Sequence, residues 1–126
     1  MVKHFPISFE ESKVKAVEYV GSERKTARLL ARVHSKANWN HKALTGVWES
    51  LHILARMVRA QITGRYAIPV ATLLAAIAAL IYFVEPIDMI PDTVPVFGLL
   101  DDAAVIAFVV RANIGEVSKF RTWESS

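Results

Sequence analysis

Residues Tyr82 to Ala103 read YFVEPIDMIPDTVPVFGLLDDA. The stretch joins two apolar runs through a hinge dense in proline and aspartate. Pro86, Pro91 and Pro95 are three of the chain's five prolines, and Asp88, Asp92, Asp101 and Asp102 stand among them. Proline fixes its own φ and disfavours helix in the residue before it, so Glu85, Ile90 and Val94 are pushed toward extended backbone. The hinge is therefore expected to be a series of tight turns. Short aspartate side chains accept hydrogen bonds from the N–H groups that such turns expose, and Gly98 supplies a position without a Cβ. Ile87, Met89, Ile90, Val94, Val96 and Phe97 lie between these polar points and are expected to hold the loop against neighbouring helices.

Four aspartates this close in sequence have three uses. They can stabilise turns and cap helices, pair with Arg or Lys from elsewhere, or form an oxygen-only site for Mg²⁺, Ca²⁺ or Mn²⁺, because like charges held together need a cation or a proton. The sequence lacks an EF-hand spacing, a Gly-rich phosphate loop, a Gly-x-Ser-x-Gly elbow and a His-Glu-x-x-His pair. Turn stabilisation is the first reading of Asp88, Asp92, Asp101 and Asp102. A Mg or Ca site is the alternative, and no other cofactor is implied.

The 126 residues are enough for one folded unit and too few for two independent cores, so a single domain over 1–126 is expected. Hydrophobic content is 53% and mean hydropathy +0.32, which is apolar for a soluble chain and points to membrane contact. With no cysteine there is no disulfide, thiolate metal site or thiol nucleophile. The first residues, MVKHFPISFEESK, lack the apolar run and small-residue cleavage site of a signal peptide. Charge is divided: residues 1–66 hold 12 Lys/Arg against 5 Asp/Glu, and residues 67–126 hold 3 against 7.

Ser8 and Glu11 have capping-box spacing, so a first helix is expected from Phe9 to near Gly21, with Val14, Val17 and Val20 on one side. Ser22 suits the cap of a second helix, Glu23 to Ala37, with Leu29, Leu30, Val33 and Ala37 inward. Its outer face carries Arg24, Lys25, Arg28, Arg32 and Lys36. Such a face is either a solvated helix surface or a surface for anionic lipid headgroups. After Asn38 to Asn40 a third helix is expected over His41 to Thr63, with Leu44, Val47, Trp48, Leu51, Leu54, Ala55, Val58 and Ile62 in one stripe. His34, His41 and His52 are not at metal-ligand spacing, which leaves them as surface or core histidines.

Ala67 to Val84 is an uncharged run of 18 residues, roughly 27 Å as a helix, just short of a bilayer's hydrocarbon thickness. It is either a transmembrane helix or the buried centre of a bundle. Ala71, Ala75 and Ala79 recur every fourth residue, a small-residue seam expected to meet Ala103 and Ala107. A final helix, Asp101 to about Ser118, is expected to begin with Asp101 as cap and Asp102 in its first turn. Phe120 to Ser126 reads as a short polar tail.

At the hinge the chain resembles the YkvA-like family, bacterial proteins carrying a domain of unknown function. The family's hallmark runs Tyr-x-x-Ser-Pro-Ile-Asp-Leu-Ile-Pro-Asp-x-Ile-Pro-x-x-Gly-x-x-Asp-Asp. Tyr82, Pro86, Ile87, Asp88, Ile90, Pro91, Asp92, Pro95, Gly98, Asp101 and Asp102 match it in order. Glu85 replaces the family's Ser and Met89 its Leu. The resemblance covers about Leu51 to Val110, leaving the amphipathic basic helices of 1–50 outside. It implies a membrane protein with no established activity.

Together these readings give an all-α bundle of four to five helices around an antiparallel apolar hairpin closed by the Pro/Asp loop. The expected role is a non-enzymatic membrane-associated scaffold or interaction protein at the cytoplasmic membrane, with its amino-terminal helices in the cytoplasm and anionic lipids as partners. The alternatives are an ion- or proton-handling protein or a small divalent-metal enzyme using the aspartates, and a soluble cytoplasmic location. Nucleic acid is not an expected partner, because the basic residues lack interleaved aromatics and a DNA- or RNA-binding motif. A protein partner is compatible with the scaffold reading.

Overall fold

A surface helix keeps one face in water, whereas residues 76–84 are buried nine in a row, so the helix that carries them is enclosed on every side. The computed structural model describes residues 9–39, 47–84 and 95–126, with the side chains of 12–38, 47–84 and 103–126. Among these the chain forms a bundle of six helices: α1 (Phe9–Val20), α2 (Glu23–Trp39), α3 (Trp48–Ile62), α4 (Val70–Val84), α5 (Pro95–Ala112) and α6 (Ile114–Ser125). The enclosed helix is α4, which packs against α1, α2, α3 and α5.

The turn between α1 and α2 follows the sequence closely. Ser22 Oγ accepts the Lys25 backbone N–H at 3.1 Å, and Thr26 Oγ1 donates to the Tyr19 carbonyl at 2.9 Å, tying the start of α2 to the end of α1. Ser22→Ala is expected to cost about 0.5–2 kcal/mol in urea unfolding, and Ser22→Asp to restore most of it, because aspartate caps equally well. Leu29, Leu30, Val33 and Ala37 all face the core, as the α2 periodicity requires.

The orientation of α1 is less obvious from its composition. Val14, Val17 and Val20 are 74%, 60% and 40% exposed, while Ser12 and Ala16 are fully buried. The reason is proximity: α1 packs against α4 more extensively than any other helix pair, and close helix axes need small side chains between them. Val14 and Val17 consequently point away from the bundle, while Val20 borders a pocket with Gln61, Ile62, Leu73 and Ile77.

The apolar run contracts in the structure. Pro69 precedes α4 and offers its carbonyl to the Leu73 N–H at 2.9 Å, leaving a helix of 15 residues, roughly 22 Å long, against about 30 Å of bilayer hydrocarbon. No helix among the described residues is long and apolar enough to cross a membrane, which corrects the transmembrane reading of Ala67 to Val84. The alanine seam is graded rather than continuous: Ala71 is exposed, Ala75 half-buried and Ala79 fully buried, with Ala103 and Ala107 half-buried on α5.

The last third of the chain departs most from expectation. The helix starts at Pro95, not Asp101, because proline has no N–H to lose in a first turn and its φ is already helical. Asp101 and Asp102 thus stand in the second turn of α5, and neither the cap expected of Asp101 nor the first-turn place of Asp102 is found. The helix also stops earlier, at Ala112. Asn113 turns its side-chain amide back to the Val109 carbonyl at 2.9 Å and accepts the Thr72 hydroxyl at 3.0 Å, joining the end of α5 to the start of α4. The tail is helical: α6 buries Val117 and Phe120 and half-buries Trp123.

Candidate functional site

The hinge that organises the sequence falls largely outside the described residues: Glu85, Pro86, Ile87, Asp88, Met89, Pro91 and Asp92 are among residues 85–94. Of the remaining motif, Tyr82 is buried near the end of α4, Pro95 opens α5, and Gly98, Asp101 and Asp102 follow within α5. Among the described residues no group of three or more His, Asp or Glu side chains is placed to hold a metal ion.

The basic face of α2 divides. Arg24, Lys25, Arg28 and Arg32 are exposed in one stripe, and Lys25 reaches across to α1, where its Nζ lies 3.2 Å from Glu18 and 5.7 Å from the Tyr19 ring centre. Lys36 differs from them. It is half-buried, its ammonium donates to the Phe83 carbonyl, and its Nζ sits 4.5 Å above the Phe83 ring. The Phe83 carbonyl belongs to the last turn of α4, where carbonyls lack helical partners and the helix dipole favours a cation. Lys36 therefore closes the central helix. The outward stripe of α2 is Arg24, Lys25, Arg28 and Arg32.

Two further constellations come from tertiary contact. On α2 and α3, the His34 and His52 rings are 5.8 Å apart, and His52 stacks on Trp48 at 4.3 Å. His52 Nδ1 is 2.9 Å from the Trp48 carbonyl, an acceptor, so Nδ1 carries the hydrogen. The His34 imidazole is held below the ordinary histidine range, first by burial and then by His52 and Arg59. A folded pKa below the unfolded one means that the stability it contributes is fully present above about pH 6.5 and is lost as pH falls through the folded value. His34→Gln is expected to flatten the fall in urea-unfolding stability below pH 6.5; an unchanged slope would assign that fall to other groups.

The second constellation is a cleft between the carboxyl-terminal half of α3 and α6, about 530 Å³ in volume. Arg56, Arg59 and Arg65 line one side, Phe120, Trp123 and Glu124 the other. Tyr66, Phe120 and Trp123 form an aromatic triangle with centroids 5.0–5.5 Å apart, which fixes α6 to the turn after α3. The sequence held a signal for it: Arg56 and Arg59 are one turn apart on the polar face of α3, and Val117, Phe120 and Trp123 recur at i, i+3 and i+6.

Comparison with known proteins identifies a family. Residues 72–108, from the first turn of α4 to the last turns of α5, match the family described as "Protein of unknown function (DUF1232)". The chain is also 31% identical over 102 residues to the "Uncharacterized membrane protein YkvA" of Bacillus subtilis (strain 168), covering 80% of this chain and 96% of that protein. The chain belongs to the YkvA-like, DUF1232 family. No solved structure matches it.

Proposed function

We propose that the chain is a non-enzymatic scaffold or interaction protein held at the cytoplasmic face of a membrane by the outer surface of its α1–α2 pair. The observation that carries this reading is the exposure of Val14 and Val17 on α1 together with that of Arg24, Lys25, Arg28 and Arg32 on α2, the helix packed against it. Apolar side chains next to a cationic stripe are what an interfacial helix needs: the valines enter the headgroup boundary while the guanidiniums meet lipid phosphates. The cytoplasmic leaflet supplies the anionic lipid, and each Lys or Arg near such a surface is worth about 1 kcal/mol. The Bacillus relative is named a membrane protein, which supports a membrane location.

The test is flotation with vesicles. Binding is expected to phosphatidylglycerol-containing vesicles, to weaken as salt rises, and to be absent on pure phosphatidylcholine and on oligonucleotides. Val17→Asp, on an exposed site, is expected to leave the unfolding free energy within about 0.5 kcal/mol of wild type and to reduce flotation. Equal flotation of Val17→Asp and wild type would remove α1 from the contact.

A further inference from the structure

The cleft between α3 and α6 sets three guanidiniums, Arg56, Arg59 and Arg65, against the Glu124 carboxylate and the carboxyl group of Ser126. Glu124 is engaged by Arg56 in a forked pair, with Nε to Oε2 at 2.7 Å and Nη2 to Oε1 at 3.2 Å. Arg59 and Arg65 line the same cleft with no carboxylate within ion-pair distance among the described residues. Arg65 lies over Trp123, its guanidinium carbon 5.6 Å from the ring centre, which stations that charge at the aromatic wall. The field of Arg59 is felt as far as His34 on α2, whose imidazole it helps to keep uncharged.

We propose that this cleft is a binding site for a phosphate group, held by Arg59 and Arg65, on a ligand whose less polar part rests on the half-buried Trp123. The chemistry is that of guanidinium: planar, always charged, and able to give two parallel N–H donors to phosphate oxygens. An aromatic wall beside such donors accepts the carbon-bearing part of an ester. The Arg56–Glu124 fork holds α6 against α3, so the cleft exists before any ligand enters. The phosphate comes either from a soluble phosphate ester or from a lipid headgroup. The site lies on α3 and α6 and does not rest on the α1–α2 reading.

The experiment uses the full chain in nuclear magnetic resonance titrations. Inorganic phosphate is the soluble probe, with sodium chloride at equal ionic strength as the reference. Vesicles containing phosphatidic acid are the lipid probe, applied to the Arg24→Gln/Arg28→Gln/Arg32→Gln background so that α2 does not contribute. Saturable shifts of the Trp123 indole and of the amides of residues 59–66 are expected with one or both probes. Arg59→Gln/Arg65→Gln is expected to weaken that binding at least tenfold at an unchanged melting temperature, and Arg59→Lys/Arg65→Lys to lose less. Response to phosphate alone assigns a soluble ligand, and response to vesicles alone assigns a headgroup. The proposal is overturned if chloride reproduces the shifts, if neither probe moves them, or if the double glutamine variant titrates like its parent.

Discussion

Phe83→Ala is expected to destabilise the chain by about 3–5 kcal/mol, among the largest effects of any single truncation. Phe83 is fully buried on α4, the helix that four others surround, so the vacated volume has walls on every side and little freedom to collapse. The substitution also removes the ring beneath the Lys36 ammonium and leaves that cation with only part of its present environment. In a chain of this size the loss corresponds to a fall in melting temperature on the order of 10–20 °C. Circular dichroism melts of wild type and variant read it directly. A loss below about 1 kcal/mol would mean that α4 meets lipid or water at this position, and the enclosed central helix would be wrong.

The second large effect is on binding. Replacing Arg24, Arg28 and Arg32 together with Gln is expected to weaken association with phosphatidylglycerol vesicles by about 3 kcal/mol, roughly a hundredfold, at low salt. All three are exposed, and exposed substitutions away from caps and buried networks rarely move stability by more than about 0.5 kcal/mol each. The fold should therefore survive while affinity falls. The same triple change at Arg111, Lys119 and Arg121, exposed on α5 and α6 and outside the cleft lining, removes equal charge and is expected to leave vesicle binding nearly intact. Equal losses from both sets would point to overall charge rather than the α2 stripe.

Much of the fold is legible where local chemistry decides it. Ser22 caps α2 because its hydroxyl meets an orphaned N–H, and Leu29, Leu30, Val33 and Ala37 face inward because 3.6-residue spacing leaves them no other direction. What sequence reasoning misses is decided between helices. The valines of α1 are more apolar than Ser12 and Ala16, yet the small pair is buried, because the approach of α1 to α4 is set by volume rather than hydrophobicity. Proline breaks a helix behind it but begins one well, so Pro95 starts α5 six residues before the aspartate that looks like a cap. Phe120 and Trp123 look like ornaments on a polar tail until Tyr66 is brought against them. The candidate site divides in the same way: the cationic stripe of α2 and the spacing of Arg56 and Arg59 are visible in sequence, whereas the exposure of the valines and the closing of the cleft by α6 are decided by packing. The aspartates of the hinge, Asp88 and Asp92, lie outside the described residues.

The contact of α1 with the bilayer is open to direct measurement because the chain has no cysteine of its own. A single spin label on Val17→Cys, with a second chain labelled at Arg121→Cys as reference, reports by electron paramagnetic resonance whether each site meets oxygen from lipid or a polar relaxation agent from water. On phosphatidylglycerol vesicles the label at 17 is expected to gain oxygen accessibility and lose contact with the polar agent, while the label at 121 stays in water. A label at 17 that remains as water-exposed on vesicles as in solution would contradict membrane docking through α1.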